Sequence, residues 1–197
     1  VRLSLSPFIS SQADDGPTIR ILSRDTFTSA NGTALLSHSP DKGPAWSQSS
    51  GGTAGFTIQS YSLSRTDPVI RHAFMDVGSA DVKLSVNVTH VENLIGLLIR
   101  RSDNSHYWEV FYDFANSGWQ MSLVNGGPDT FKGPLLPGST GTVTLEAKGN
   151  VITATGPLGH QHTEVSSALL TNPQVGIIVN GFGGIASTVD DWLVTAT

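Results

Sequence analysis

Few residues in this chain have the type and spacing to do chemistry. Glutamate occurs only at positions 92, 109, 146 and 164, and none has a carboxylate two residues away. Glycoside hydrolysis needs an acid and a nucleophile or base held about 5–10 Å apart, which paired carboxylates on one strand face supply. Asp190 and Asp191 are adjacent, so on a strand they point to opposite faces. Ser, His and Asp are all plentiful, yet no Gly-x-Ser-x-Gly elbow presents a nucleophile. His160 and His162 would share one side of an extended segment, as half of a metal site. They follow Gly156-Pro157-Leu158-Gly159, which favours a polar turn instead. The absence of cysteine excludes disulfides, zinc-thiolate sites and a thiol nucleophile.

One aromatic stretch, residues 106–113 (HYWEVFYD), is richer. With a period of two, Trp108, Val110 and Tyr112 take one face, and Tyr107, Glu109, Phe111 and Asp113 the other. In 94–101, Ile95, Leu97 and Ile99 share a face, while Leu98 and Arg100 share the opposite one. A sugar site needs an aromatic plate for the C–H face of the ring and a few charged groups for its hydroxyls. Arg100, Tyr107, Glu109 and Trp119 are the candidate set. The competing reading makes most of these aromatics core and pairs Arg100 with Glu109 at the surface.

The elements that must position these groups are strands. In 197 residues, 38% are hydrophobic and only 14% charged, with 21 Gly and 10 Pro and many Ser and Thr. Such a composition suits strand surfaces and tight turns, and excludes a helical bundle or coiled coil. Strand patterns occur at 55–59, 69–76, 80–91, 94–101, 106–113, 118–124, 141–148, 151–155, 175–180 and 188–195. Gly149-Asn150 reads as a two-residue hairpin turn and 125–128 (NGGP) as another turn. The single weak helix candidate is 164–170. The pattern predicts an all-β, antiparallel two-sheet sandwich over 24–197. Expected core residues are Phe27, Trp46, Phe56, Leu84, Val86, Leu97, Ile99, Trp108, Val110, Leu145, Ile177 and Trp192. A net charge of −5 without a Lys/Arg run gives no track for a nucleic acid. No apolar run approaches 18 residues, so no membrane-spanning helix is expected.

Several motifs resemble one module. Asp25-Thr26-Phe27-Thr28-Ser29-Ala30-Asn31-Gly32, followed by Asp41-Lys42-Gly43-Pro44-Ala45-Trp46, is similar to the D-x-F-x-R-A-D-G … D-x-G-x-x-W opening of laminin-G/concanavalin-A-like jelly rolls. The stretch 96–100 (GLLIR) with 104–108 (NSHYW), the triplet 175–177 (VGI) and 189–192 (VDDW) resemble its later strands. Ser29 and Asn31 depart from the usual Arg and Asp. The enzymes of this family carry Glu-x-Asp-x-x-Glu on a central strand, and this chain has no such run. The resemblance implies a concanavalin-A-like sandwich of the kind found in phage virion proteins and in secreted carbohydrate-active proteins. It also implies pairing of the first and last strands, which would bring Asp25 towards Asp190 or Asp191 as a candidate calcium site completed by carbonyls. The alternative is that Asp25 caps a turn. No cofactor is required on this reading.

The functional expectation is a non-enzymatic virion component, a phage minor tail protein that adheres to a host glycan. The alternatives are a secreted carbohydrate-binding module or a capsid decoration protein, with a glycan hydrolase third. Residues 1–23 read as an arm whose Leu3, Leu5, Phe8 and Ile9 either dock on another virion protein in a multi-copy assembly or form a first strand of the same domain.

Overall fold

In the computed structural model the described residues are 19–49, 55–60, 62–64, 71–92, 94–179 and 187–197. Leu3, Leu5, Phe8 and Ile9 lie outside them. The strands are β1 (Ile21–Asp25), β2 (Thr33–Ala34), β3 (Ser47–Gln48), β4 (Thr57–Gln59), β5 (Ser62–Ser64), β6 (Arg71–Asp76), β7 (Val82–His90) and β8 (Ile95–Asp103). They continue with β9 (His106–Asp113), β10 (Gly118–Asn125), β11 (Thr130–Leu136), β12 (Gly141–Lys148), β13 (Val151–Thr155), β14 (Gln161–Val165), β15 (Gln174–Val179) and β16 (Thr188–Ala196). One three-residue 3-10 turn, Leu35–Ser37, is the helical element among the described residues.

Two antiparallel sheets result. The nine-stranded sheet runs β14-β13-β12-β7-β16-β5-β4-β2, with β1 also paired to β16. The seven-stranded sheet runs β11-β10-β9-β8-β15-β6-β3. Alternation explains the layering. Val82, Leu84, Val86 and Val88 of β7 point inward, as do Val143, Leu145 and Ala147 of β12, and their alternates face out. All twelve expected core residues are buried in one continuous cluster between the sheets. The β12–β13 hairpin closes with Lys148 opposite Val151, leaving Gly149-Asn150 as its two-residue loop. Gly149 takes a φ of 56° there, which its missing Cβ permits.

Three local expectations are corrected. The weak helix at 164–170 is instead the end of β14 and the turn that follows it. The polar turn read over His160-Gln161-His162 gives way to strand at Gln161 and His162. The sandwich also begins earlier than residue 24, because β1 starts at Ile21, which lies opposite Thr195.

Candidate functional site

The outer face of the seven-stranded sheet carries the richest chemistry. β9 places Glu109 across from Leu98 of β8 on one side and Ser122 of β10 on the other. Leu98, Tyr107, Val124 and Ile178 form a small apolar cluster on this face, separate from the main core, with Leu94 packed against it. Glu109 is 3% exposed. Burial, reinforced by the negative charge of Asp129, pushes its carboxyl up to about 8, against the opposing pull of the Ser122 hydroxyl. At neutral pH it is therefore a carboxylic acid able to donate a hydrogen bond. Burial and the charges of Glu109 and Asp129 likewise hold the Tyr107 phenol above its usual range.

Leu94, Tyr107, Glu109, Phe111, Asp129 and Ile178 line a cavity of about 200 Å³ on this face. Phe131 of β11 stands beside it, its ring 6.1 Å from that of Phe111 and 62% exposed. Next to the cavity, the Tyr107 ring meets His72 edge-on at 5.0 Å. Arg101 donates to His72 Nδ1 at 3.3 Å, to Gln174 Oε1 at 2.6 Å and to Asn104 Oδ1 at 2.7 Å. Its guanidinium also lies 3.8 Å from the centroid of the Phe74 ring. Burial, with the Arg101 charge adding to it, lowers the His72 imidazole to about 4.

Of the four residues expected to share a sugar-facing surface, the structure brings Tyr107 and Glu109 together and separates the other two. Arg100 is corrected to the interior. A bulge between β8 and its neighbours reverses the alternation after Ile99, and Arg100 adopts a φ of 51°. Its side chain is buried, donating to Ala80 O, Asp81 Oδ1 and Gly149 O. It thereby ties the seven-stranded sheet to the β12–β13 loop, and Arg101 takes the outward place. Trp119 is also corrected. It lies opposite Tyr112 on β10, fully buried between the sheets, with ring centroids 5.7 Å apart. Asp129 and Phe131 escape sequence reasoning because they sit at and just after a turn-forming stretch. Arg101 and His72 escape it because only the bulge and the β6–β15–β8 pairing bring them to this face.

The three acidic residues considered for calcium do not converge. The first and last strands do pair, with Asp25 opposite Trp192. Asp25 is fully buried, however, and its oxygens accept hydrogen bonds from Trp46 Nε1, His38 Nε2 and the Phe27 amide, each at 2.8 Å. Asp191 is exposed, with a φ of 52°, and its amide bonds to the Asp190 carboxylate. Burial raises the Asp190 carboxyl, and the Asp191 amide offsets part of that rise. Among the described residues, no group of three or more His, Asp or Glu side chains is disposed to hold a metal ion.

Two wider depressions, about 560 and 400 Å³, open on the outer face of the nine-stranded sheet. They are lined chiefly by Ser, Thr, Ile and Leu, and the one aromatic bordering them, Trp192, is fully buried. They lack the exposed ring that a sugar stacks on.

No protein-family model matches the chain, and no curated protein matches it. Solved structures do. A protein of unknown function with a galectin-like fold from Bacillus subtilis aligns at 12% identity and a TM-score of 0.62, covering 90% of this chain and 96% of that one. A carbohydrate-binding module, also from Bacillus subtilis, aligns at 10% identity and 0.58, covering 77% and 95%. A Bacillus licheniformis beta-glucanase aligns at 14% identity and 0.55, covering 88% and 97%. The expectation of a non-enzymatic chain is thereby corrected. This architecture is used by hydrolases as well as by binding modules, so the fold does not argue against catalysis. The chain has a galectin- and concanavalin-A-like jelly-roll fold.

Proposed function

We propose that this domain recognises a glycan on the outer face of the seven-stranded sheet, around Tyr107, Glu109, Phe111 and Asp129. The observation that carries this reading is the composition of one cavity. Aromatic rings, a buried protonated carboxyl and an acidic acceptor line the same cavity of about 200 Å³. Apolar plates with a few fixed polar groups are what a sugar ring requires. The likeness to a carbohydrate-binding module is consistent with it. A sheet-face site of this size supports weak binding, near millimolar or about −4 kcal/mol per site.

The finer part of the proposal is the setting: a virion surface, as a minor tail protein that meets host glycans in many copies. Its support is the opening motif Asp25–Trp46 and the later strand motifs in the sequence. Glycan-array binding of the multimerised domain, followed by titration, tests the site. Phe131→Ala and Phe111→Ala are expected to weaken binding at least tenfold with melting temperature changed by less than about 3 °C. Unchanged binding in both variants overturns the site. Absence of the chain from purified particles, by mass spectrometry, overturns the virion setting and leaves a secreted binding module.

A further inference from the structure

The sharpest unassigned constellation lies away from the glycan face, in the turn after β1. Asp25, His38 and Ser29 form a continuous hydrogen-bonded relay. His38 Nε2 is 2.8 Å from Asp25 Oδ1, and His38 Nδ1 is 2.8 Å from Ser29 Oγ. Asp25 is held from two further directions, by Trp46 Nε1 on Oδ2 and by the Phe27 amide on Oδ1. A buried carboxylate ringed by donors is an acceptor only, so it fixes the His38 proton on Nε2. In the neutral ring Nδ1 is then the acceptor that faces the Ser29 hydroxyl. The His38 side chain is 5% exposed, whereas Ser29 is half-buried between the exposed Thr28 and Ala30. The relay thus runs from the core to the solvent boundary and ends on a hydroxyl.

We propose that Ser29 is an activated nucleophile, with His38 as its general base and Asp25 as the positioning residue, acting on short-chain acyl esters. The two ring nitrogens are exchanged relative to the serine proteases, which leaves the proton logic intact. Two further features fit. Phe27, which bridges Asp25 and Ser29 in sequence, holds a φ of 49°, unusual for a bulky residue and of the kind stored at reactive turns. Ala30, exposed, places its amide directly after Ser29 in the chain. The amide following a nucleophile is a recurrent oxyanion donor.

The step balances with water as the only co-reactant. Ser29 Oγ bonds to the ester carbonyl carbon as its proton passes to His38 Nδ1. The C–O bond to the leaving alcohol breaks, and the alcohol takes that proton. Water then adds to the acyl-serine, again giving a proton to Nδ1, and the Oγ–acyl bond breaks as Oγ regains it. The products are one acid and one alcohol.

The test uses the full chain and a fluorophosphonate probe. One adduct is expected by intact mass, mapping to Ser29 among all the serines, together with 4-nitrophenyl acetate hydrolysis above the background rate. Ser29→Ala is expected to lose both at an unchanged melting temperature. Because the chain contains no cysteine, Ser29→Cys gives an independent reading. Its single thiol, paired with His38, is expected to react with iodoacetamide at least tenfold faster than glutathione at pH 7. An unlabelled Ser29, a Ser29→Ala variant that hydrolyses ester at the wild-type rate, or a Ser29→Cys variant whose thiol reacts no faster than glutathione overturns the proposal.

Discussion

At the scale of single residues, Glu109 couples the stability of the fold to pH. Its carboxyl titrates near 8 in the folded chain, against about 4.3 when unfolded. Between these values the unfolded chain has released a proton that the folded chain keeps. Stability is therefore fully present below about pH 4.3 and declines as pH rises towards 8, by at most about 5 kcal/mol. His72 works in the opposite sense. Its folded value near 4 lies below the unfolded 6.5, so stability falls as pH drops through that window, where the unfolded chain gains a proton that the native imidazole refuses. The two slopes oppose each other between about 4.3 and 6.5, and above 6.5 the Glu109 slope acts without that opposition. Glu109→Gln removes the ionisation while keeping the shape. The variant is expected to melt higher than wild type at pH 8.5 and to lose most of the decline between pH 6.5 and 8. Parallel melting curves of variant and wild type across that range would show Glu109 to be ionised in the fold.

At the scale of strands, Gly96 of β8 shapes the outer face of the seven-stranded sheet. A Cβ there would lie 2.8 Å from Ile178 Cγ2, 2.8 Å from Phe111 Cβ and 2.9 Å from Val110 O. The last of these is backbone and cannot swing aside. Gly96→Ala is expected to cost about 1–3 kcal/mol and to displace Phe111 and Ile178 towards the cavity, weakening glycan binding as well. Denaturant titration and glycan titration of this variant check the two effects separately. The same strand shows where sequence periodicity stops being informative. Alternation places Ile95, Leu97 and Ile99 inward, and the structure agrees. Applied one step further it places Arg100 outward, and the bulge inverts it. A bulge leaves little trace in a run such as LIGLLIRR, because each residue remains compatible with a strand. β11 is illegible for another reason. Its interior Gly133-Pro134 reads as a breaker, and is tolerated because β11 is an edge strand whose missing amide leaves no ladder bond unmade. Legible are the long alternating strands β7, β9 and β12, whose apolar rows, Val82 to Val88, Trp108 to Tyr112 and Val143 to Ala147, face the core.

At the scale of the whole molecule, the described strands close on themselves through the pairing of β1 with β16. β1 begins at Ile21, and the Arg20 carbonyl accepts the Ala196 amide, so the first and last strands already complete one another. Removing residues 1–18 leaves β1–β16 of the described sheets complete. The shortened chain is expected to keep the wild-type melting temperature within about 3 °C and the same single-site glycan affinity. The consequence of the deletion should appear only where copies act together. Weak sites gain avidity of about 10²–10⁴ when several are held on one particle. If Leu3, Leu5, Phe8 and Ile9 anchor each copy to its neighbours, the deletion abolishes incorporation and the multivalent gain while leaving the monomer untouched. Each buried side chain of that anchor would contribute about 1.5–3 kcal/mol before ordering costs. Particle incorporation and surface binding of the deleted chain, measured beside its melting curve, distinguish the outcomes. Normal incorporation removes the anchor, and a lowered melting temperature assigns the segment to the stability of its own domain.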